Sequence, residues 1–218
     1  MNIQTIAPMA VRYDSYRYLW PPRPELKLTA DKLPTFDDGR FVAQPKLNGA
    51  NVLAFIKETE SQVMNRHNEN KTGSINVDFR SLHRGTGYMV LNGEWMEKSK
   101  KDENGNNFNQ HFVLFDILVY DGWILSGSTA ADRIRLMKDL YGNEQHSKFL
   151  YQTGVPNVVR VKTYAGNFQS LYNQLVPIDM YEGVVLKRRD AILNHPFSQS
   201  ANTKWLIKAR KETKIYKF

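Results

Sequence analysis

Five short segments of the 218-residue sequence place a lysine or an acid beside a glycine or at the end of an apolar run. In chain order they are Lys46-Leu47-Asn48-Gly49, Gly93-Glu94, Phe115-Asp116-Ile117, Glu182-Gly183-Val184-Val185-Leu186-Lys187 and the run from Trp205 to Arg210. A lysine amine can attack a phosphate only when it is neutral, and nearby cations favour that form. Acids in the same pocket could hold sugar hydroxyls or a divalent cation. Together the segments are better explained as a phosphate-and-metal site than as unrelated surface charges.

The elements that would position these residues are mostly short strands joined by turns. An apolar run, Phe41-Val42-Ala43, leads into the Lys46 segment and Val52 to Ile56 leaves it, so Lys46 is expected at a turn. Glu97 to Gln110 is expected to be a polar loop. Further strands are predicted at Gln62–Arg66, Tyr88–Met96, His111–Tyr120, Val158–Thr163, Gly183–Lys187 and Lys204–Ala209. Helical spacing of apolar residues predicts helices from Ser128 or Thr129 to Tyr141 and over Phe168–Val176.

Composition limits the class of protein. Hydrophobic residues make up 41% of the chain and aromatic residues 12%, which is enough for a packed core. The absence of cysteine excludes a disulfide framework and a thiolate nucleophile, and fits a reducing, cytoplasmic compartment. No apolar run approaches the roughly 18 residues of a membrane helix, and the N-terminus lacks signal-peptide features. We therefore expect an intracellular protein without a membrane partner.

The net charge of +8 is concentrated at the C-terminal end. The segment from Leu186 to Phe218 contains nine Lys and Arg against Asp190 and Glu212, a net charge of +7. Trp205-Leu206-Ile207 interleaves these cations, which argues that part of the segment is folded rather than a solvated tail. A localised basic surface of this kind favours a nucleic-acid partner.

In this order, the five segments resemble motifs I, III, IIIa, IV and V of the covalent nucleotidyltransferase superfamily, which contains ATP-dependent DNA ligases, RNA ligases and mRNA capping enzymes. The resemblance runs from Lys46 to Arg210. It implies an α+β fold, with a nucleotidyltransferase (ATP-grasp-like) core of antiparallel sheets flanked by helices. It also implies that Lys46 attacks ATP to give lysyl-AMP, that the AMP passes to a 5′-phosphate, and that a 3′-hydroxyl then seals the strand.

The resemblance also implies residue roles, with ATP and Mg²⁺ as cofactors. Lys46 would be the AMP-accepting nucleophile, Lys187 and Lys208 would bring positive potential to the phosphates, and Glu182 would hold the metal. The nucleotide would be bound by Gln44, Arg66, Glu94, Phe115, Lys187 and Lys208, with Phe112 as an alternative stacking ring for adenine. Nucleic acid would be contacted by Asn51, Arg188, Arg189, Arg210 and Lys211. Considered without the family resemblance, Arg66 is explained as a charged residue at the end of a strand. In the same way, Asp116 is explained as an acid with a structural role.

Some features of the sequence favour an RNA ligase and others favour a DNA ligase. Motif I usually has an aspartate where Asn48 stands, and an RNA ligase branch tolerates a non-acid there with an asparagine at the position of Asn51. In contrast, the segment around Phe115, followed by Arg133 in a helix, is more similar to DNA ligases. We therefore expect DNA-ligase-like sealing of nicked duplexes, with an RNA or mixed RNA/DNA ligase as the alternative. An mRNA guanylyltransferase and an inactive nucleic-acid-binding module remain open.

The expected domain organisation is simple. Residues 1–40 would form an N-terminal arm packed on the core, residues 41–210 the nucleotidyltransferase domain and residues 211–218 a basic end. Only eight residues follow Arg210, so no OB-fold domain is expected. The residues before Lys46 are too few for the extra domain of NAD-dependent ligases, which favours ATP. We expect a monomer that binds nicked duplex nucleic acid.

Overall fold

The structure is a computed structural model that describes residues 2–194, 197 and 202–212. The strands are β1 (Val11–Arg12), β2 (Arg23–Leu28), β3 (Phe41–Leu47), β4 (Ala50–Ile56), β5 (Ser61–Asn65), β6 (Met89–Met96), β7 (Lys100–Lys101), β8 (Asn107–Phe108), β9 (His111–Tyr120), β10 (Trp123–Ile124), β11 (Leu150–Gln152), β12 (Val158–Val161), β13 (Tyr181–Arg188) and β14 (Asn202–Arg210). The α-helices are α1 (Ile3–Ile6), α2 (Ala130–Tyr141) and α3 (Phe168–Leu175). Short 3₁₀ helices cover Ala30–Phe36, Thr72–Ser74 and Phe79–Leu82. The predicted loop at 191–201 and basic end at 211–218 lie partly outside the described residues.

The strands form two main sheets. Sheet A has eight strands: β1-β10-β9-β6-β4-β5 form one path, and β12 joins β9 with β11 on its other side. Sheet B has four strands in the order β2-β14-β13-β3, and β7 pairs with β8 as a separate hairpin. Among the described strands, neighbours are antiparallel except for β12 with β9 and β14 with β2, which are parallel and are not joined by hairpins. The predicted α+β class is confirmed, with these two parallel pairs as additions.

Two hydrophobic cores lie on opposite faces of β9. Leu114 belongs to the core shared with α2, where it is buried with Leu136. Val113, the adjacent residue, belongs to the core shared with sheet B and α3, where it is buried with Leu186 and Phe168. Burial of both faces explains why β9 is apolar along nearly its whole length. Each such side chain contributes about 1.5–3 kcal/mol through burial, so these cores fix the relative position of the sheets.

Both helix predictions are confirmed. The Thr129 hydroxyl accepts a hydrogen bond from the Asp132 N–H at 3.1 Å, and the Asp132 carboxylate accepts one from the Thr129 N–H at 3.2 Å. This reciprocal capping box begins α2, and Gly142, with φ of +70°, ends it. Among the described residues, no helix has the length and apolarity needed to cross a membrane.

Two local predictions were wrong. Lys46 does not lie in a turn, because pairing with β13 extends β3 to Leu47 and the turn is formed by Asn48–Gly49. Glu97–Gln110 is not an irregular loop, because it contains the β7–β8 hairpin. The proline-containing stretch before residue 30, within the predicted N-terminal arm, contributes β2 to the edge of sheet B. Pro24 is tolerated there because an edge strand can lack one hydrogen-bond donor.

Candidate active site

Lys46 lies where the chain passes from sheet B to sheet A. β3 carries Lys46 in sheet B, the turn Asn48–Gly49 follows, and β4 continues in sheet A. The turn approaches β6 so closely that a Cβ on Gly49 would lie 2.5 Å from the Trp95 carbonyl oxygen. Glycine is therefore required by the close approach. The Gly49 N–H donates to Glu94 Oε1 at 3.1 Å, which connects the turn to an acid of sheet A.

The amine of Lys46 contacts Glu182 on the neighbouring strand. Lys46 Nζ lies 2.5 Å from Glu182 Oε2, and Arg210 Nη2 lies 3.0 Å from Glu182 Oε1. Strand register explains this cluster, because Gly183 lies opposite both Lys46 on β3 and Arg210 on β14. The Lys46 and Glu182 side chains are 23% and 15% exposed, so the ion pair is accessible to an anionic ligand.

Gly183 sets the direction of Glu182. Its φ of +142° lies in the region that favours glycine, and the pairing of β13 with β3 is irregular between Tyr181 and Gly183. A Cβ on Gly183 would lie 2.1 Å from the Ala209 carbonyl oxygen, so no other residue fits without moving β14. An irregularity of this kind changes the side-chain direction of its neighbours, here turning Glu182 toward Lys46.

Lys208 adds a second amine to the face of sheet B that carries Lys46. It lies opposite Val185, two residues along β13 from Gly183. Burial and the neighbouring charges of Lys46, Lys27 and Arg210 lower the pKa of Lys208. Cations crowded in this way attract an anion, because an anion relieves their mutual repulsion.

Glu94 faces this cluster from sheet A. Burial raises the pKa of Glu94 to about 7, although the charge of Lys46 and the Gly49 N–H act in the opposite direction. The charges of Glu182 and Arg66 also act on the Glu94 carboxyl, so these groups lie near one another. Near neutral pH the carboxyl exchanges between its two forms, so it can donate or accept a hydrogen bond to a hydroxyl group.

Replacing Glu94 with glutamine is expected to raise the melting temperature at pH 8, and to raise it much less at pH 5. The folded-state pKa of about 7 exceeds the ordinary 4.5, so ionisation of Glu94 increasingly opposes folding as the pH rises between these values. Glutamine keeps the acceptor for the Gly49 N–H and removes the charge. Thermal unfolding of both proteins at the two pH values checks this, and an equal shift at both would contradict it.

Lys187 belongs to a second, buried cluster that bridges the two sheets. Its amine donates to the Phe115 carbonyl oxygen at 2.8 Å and lies 3.6 Å from Asp116 Oδ2. Arg133 of α2 donates Nε to Asp116 Oδ1 at 2.8 Å. Burial alone would raise the pKa of Asp116, but the charges of Arg133 and Lys187 hold it below its usual range. Burial, partly offset by Asp116, lowers the pKa of Lys187.

The two candidate stacking rings have different surroundings. Phe112 is fully buried, lies edge-to-face with Phe79 at 5.1 Å between ring centres, and covers Gly93. A Cβ on Gly93 would lie 2.3 Å from the Phe112 ring, which explains the glycine. Phe115 is half-buried, and the Lys187 amine lies 5.5 Å from its ring centre. Phe112 is therefore a core residue, and Phe115 is the better candidate for contact with a base.

Three predicted binding residues lie around the rim of this space. Gln44 is buried on β3 and donates Nε2 to the Thr163 hydroxyl at 3.0 Å. Asn51 donates Nδ2 to the Gly93 carbonyl oxygen at 3.2 Å. Because a carbonyl can only accept, this contact fixes the Asn51 amide with its oxygen pointing elsewhere. Arg66 is exposed, with its Nε 3.1 Å from His67 Nε2.

The remaining predicted contacts for nucleic acid lie at the end of β13 and just after β14. Arg188 is exposed and pairs with Asp190 at 2.8 Å, and Arg189 is also exposed. Lys211 donates its amine to the Val176 carbonyl oxygen at 3.2 Å, at the C-terminal end of α3. Arg210, also predicted to contact nucleic acid, pairs with Glu182 and so lies beside Lys46.

Two residues beside the predicted site residues, Lys27 and Asn92, belong to none of the sequence motifs and were not predicted. Lys27 is on β2, opposite Lys208. Asn92 is buried on β6, and its Oδ1 accepts a hydrogen bond from Asn51 at 2.8 Å. Leu26 and Leu28 flank Lys27 in the alternation typical of a strand, which was the available signal.

The acids fit a Mg²⁺ ion that is shared with a nucleotide. Mg²⁺ usually takes one or two carboxylates together with phosphate oxygens and water. Glu182 and Glu94 supply carboxylates on facing sheets, and Glu182 is accessible to solvent. Across the described ranges, no three His, Asp or Glu side chains form a metal-binding group by themselves.

A separate cleft of about 560 Å³ lies away from Lys46 and includes Glu103, Lys148 and Phe149 in its lining. None of the residues around it is a predicted site residue. This cleft is therefore separate from the candidate site around Lys46.

The chain belongs to the RNA ligase family, whose sequence model matches residues 39–208. This range contains Lys46, Glu94, Glu182, Lys187 and Lys208. No curated protein sequence is similar enough to the chain to count as a relative.

Two solved structures show the fold. The chain is similar to mycobacterial DNA ligase D complexed with ATP and MES, with 17% identity and a TM-score of 0.59 over 89% of this chain and 62% of that one. It is also similar to the ligase domain of LigD from M. tuberculosis, with 17% identity and a TM-score of 0.56 over 89% of this chain and 61% of that one. The chain thus spans less than two thirds of either structure. The fold is that of a ligase nucleotidyltransferase domain.

Proposed function

We propose that the protein is an ATP-dependent polynucleotide ligase that seals 3′-hydroxyl/5′-phosphate nicks through a lysyl-AMP intermediate. The observation that carries this proposal is the cluster around Lys46. Its amine lies 2.5 Å from Glu182, with Lys208 and Arg210 on the same sheet and Glu94 on the facing one. A nucleophilic amine among phosphate-binding cations and two acids suits transfer of a nucleotidyl group.

The first step would form a bond between Lys46 Nζ and the α-phosphorus of ATP and break the bond to pyrophosphate. Lys46 must first lose a proton to solvent and release Glu182, because a protonated amine has no free electron pair with which to attack phosphorus. Lys208 and Arg210 would stabilise charge on the phosphates. Mg²⁺, held by Glu182 with Glu94 nearby, would neutralise phosphate charge.

The adenosine would lie between the sheets. Phe115 is the candidate for stacking on the base and Glu94 for holding the ribose hydroxyls, since its carboxyl can donate or accept near neutral pH. In the later steps the AMP passes to a 5′-phosphate end, and attack by a 3′-hydroxyl expels AMP. The exposed Arg66, Arg188 and Arg189 are candidates for holding the nucleic-acid backbone.

RNA ligation is a second candidate, and two observations favour it. The family is the RNA ligase family. The Asn51 amide is held by Gly93 with its nitrogen as the donor, so its oxygen is the group left to accept from a sugar hydroxyl. A 2′-hydroxyl is the donor that distinguishes RNA from DNA at such a position.

A panel of nicked duplexes tests the proposal. The panel places RNA or DNA on each side of the nick, and sealing in the presence of ATP and Mg²⁺ is followed by gel electrophoresis. Sealing of at least one nick is expected, and joining that requires RNA next to the nick would favour the second candidate. Loss of that requirement in Asn51→Ala would assign it to the Asn51 amide. Failure with every nick, including nicks that are already adenylylated, would contradict ligase function.

A further inference from the structure

The strand register of sheet B places a further lysine beside the candidate phosphate site. Lys27 of β2 lies directly opposite Lys208 of β14, and the next pair along these strands is Leu28 with Ala209. Leu28 and Ala209 pack in the core shared with α3. Because side chains alternate along a strand, Lys27 projects from the opposite face, together with Lys208.

Lys27 is exposed, and its charge acts on Lys208 together with those of Lys46 and Arg210. From β3 to β2 sheet B spans three strand spacings of about 4.8 Å, or about 14 Å. Lys27 lies in the cross-strand row of Gln44, Val185 and Lys208, and Lys46 is two residues along β3 from Gln44, so the cations run diagonally across the sheet. The cations therefore form a line across sheet B that begins at the nucleophile and ends at Lys27. Glu25, two residues earlier on β2, is an acid on the same face.

We propose that Lys27 binds the β- and γ-phosphates of the nucleotide, and hence also the pyrophosphate that leaves when Lys46 takes the AMP. This assignment rests on the proposed function. The α-phosphate must lie at Lys46 for the N–P bond to form, so the distal phosphates extend away from β3. The line of cations on β14 and β2 lies in that direction. Lys27 would act on the leaving group, because a cation there stabilises the charge that pyrophosphate gains as the P–O bond breaks.

Binding measurements on the unreacted protein test Lys27 independently of catalysis. Calorimetry with pyrophosphate is expected to give about tenfold weaker affinity for Lys27→Ala than for the wild type, the loss of one charge-assisted contact. Lys27→Arg should stay close to the wild type. Lys138→Ala, which removes an exposed lysine from α2, should leave pyrophosphate affinity unchanged.

Binding of AMP separates a phosphate contact from a general charge effect. AMP has no distal phosphates, so its affinity should be the same for the wild type and Lys27→Ala. Equal loss for AMP and pyrophosphate would overturn the assignment, as would equal pyrophosphate affinity in the two proteins or no measurable binding to either. The proposed function would be contradicted by a different result, the absence of strand sealing. Failure of the Lys27 assignment can therefore be distinguished from failure of the proposed function.

Discussion

Incubation with ATP and Mg²⁺ is expected to increase the intact mass of the wild-type protein by one AMP, and to leave the mass of Lys46→Ala unchanged. The loss should be complete, because alanine removes the atom that forms the bond to phosphorus. Lys46→Arg should also gain nothing: a guanidinium keeps the charge beside Glu182 but stays protonated and cannot act as a nucleophile. Mass spectrometry of the three proteins under denaturing conditions measures this result.

Control variants and a second nucleotide test whether the adduct forms specifically at Lys46. Lys138→Ala should gain AMP like the wild type, because Lys138 is exposed on α2 and belongs to neither charge cluster. GTP in place of ATP should give little adduct, and a preference for GTP would indicate a guanylyltransferase. An AMP adduct in Lys46→Ala would place the nucleophile elsewhere. No adduct in any of these proteins, with either nucleotide, would contradict nucleotidyl transfer by the isolated chain.

The sequence predicted the parts of the fold that depend on local pattern. β4 and β9 contain apolar runs, and their assignment as strands is confirmed. Such runs are typical of strands that are buried within a sheet. α2 was predicted with Ser128 or Thr129 as its cap, and in the structure the cap is Thr129, which forms a self-contained box with Asp132. The β7–β8 hairpin was not predicted, since Lys100–Lys101 has no apolar alternation and its pairing is held by a turn around Asp102.

In the candidate site, too, the features that depend on pairing between distant strands could not be predicted from local sequence pattern. Lys46 and Glu182 could be assigned to one pocket only through the family resemblance, and the structure brings them to 2.5 Å. Lys27 was missed because its position depends on a parallel pairing of β2 with a strand far along the chain. The sequence gives no local signal for such a pairing. The contacts of Lys187 could not be predicted for the same reason, because they are made with β9, which is far from Lys187 in the sequence.

The buried cluster of Asp116, Arg133 and Lys187 is a structural connection between three separate elements of the fold. It links β9, α2 and β13, which are otherwise joined by hydrophobic packing. The Asp116 side chain is 7% exposed, and its two cations are 1% and 6% exposed. With one acid between two cations, the loss of the acid leaves buried positive charge without compensation. The cost of that arrangement exceeds the cost of a lost surface pair.

Asp116→Ala is therefore expected to lower the free energy of unfolding by about 3–5 kcal/mol, as measured by urea denaturation. Replacing all three charges with apolar residues, as Asp116→Leu, Arg133→Met and Lys187→Met together, should cost less than Asp116→Ala alone, because no buried charge remains unpaired. Asp190→Ala breaks a surface pair whose acid is 78% exposed, and should change stability little. If Asp116→Ala matched Asp190→Ala, or if the triple replacement were the least stable of these variants, burial of charge would not explain the cluster.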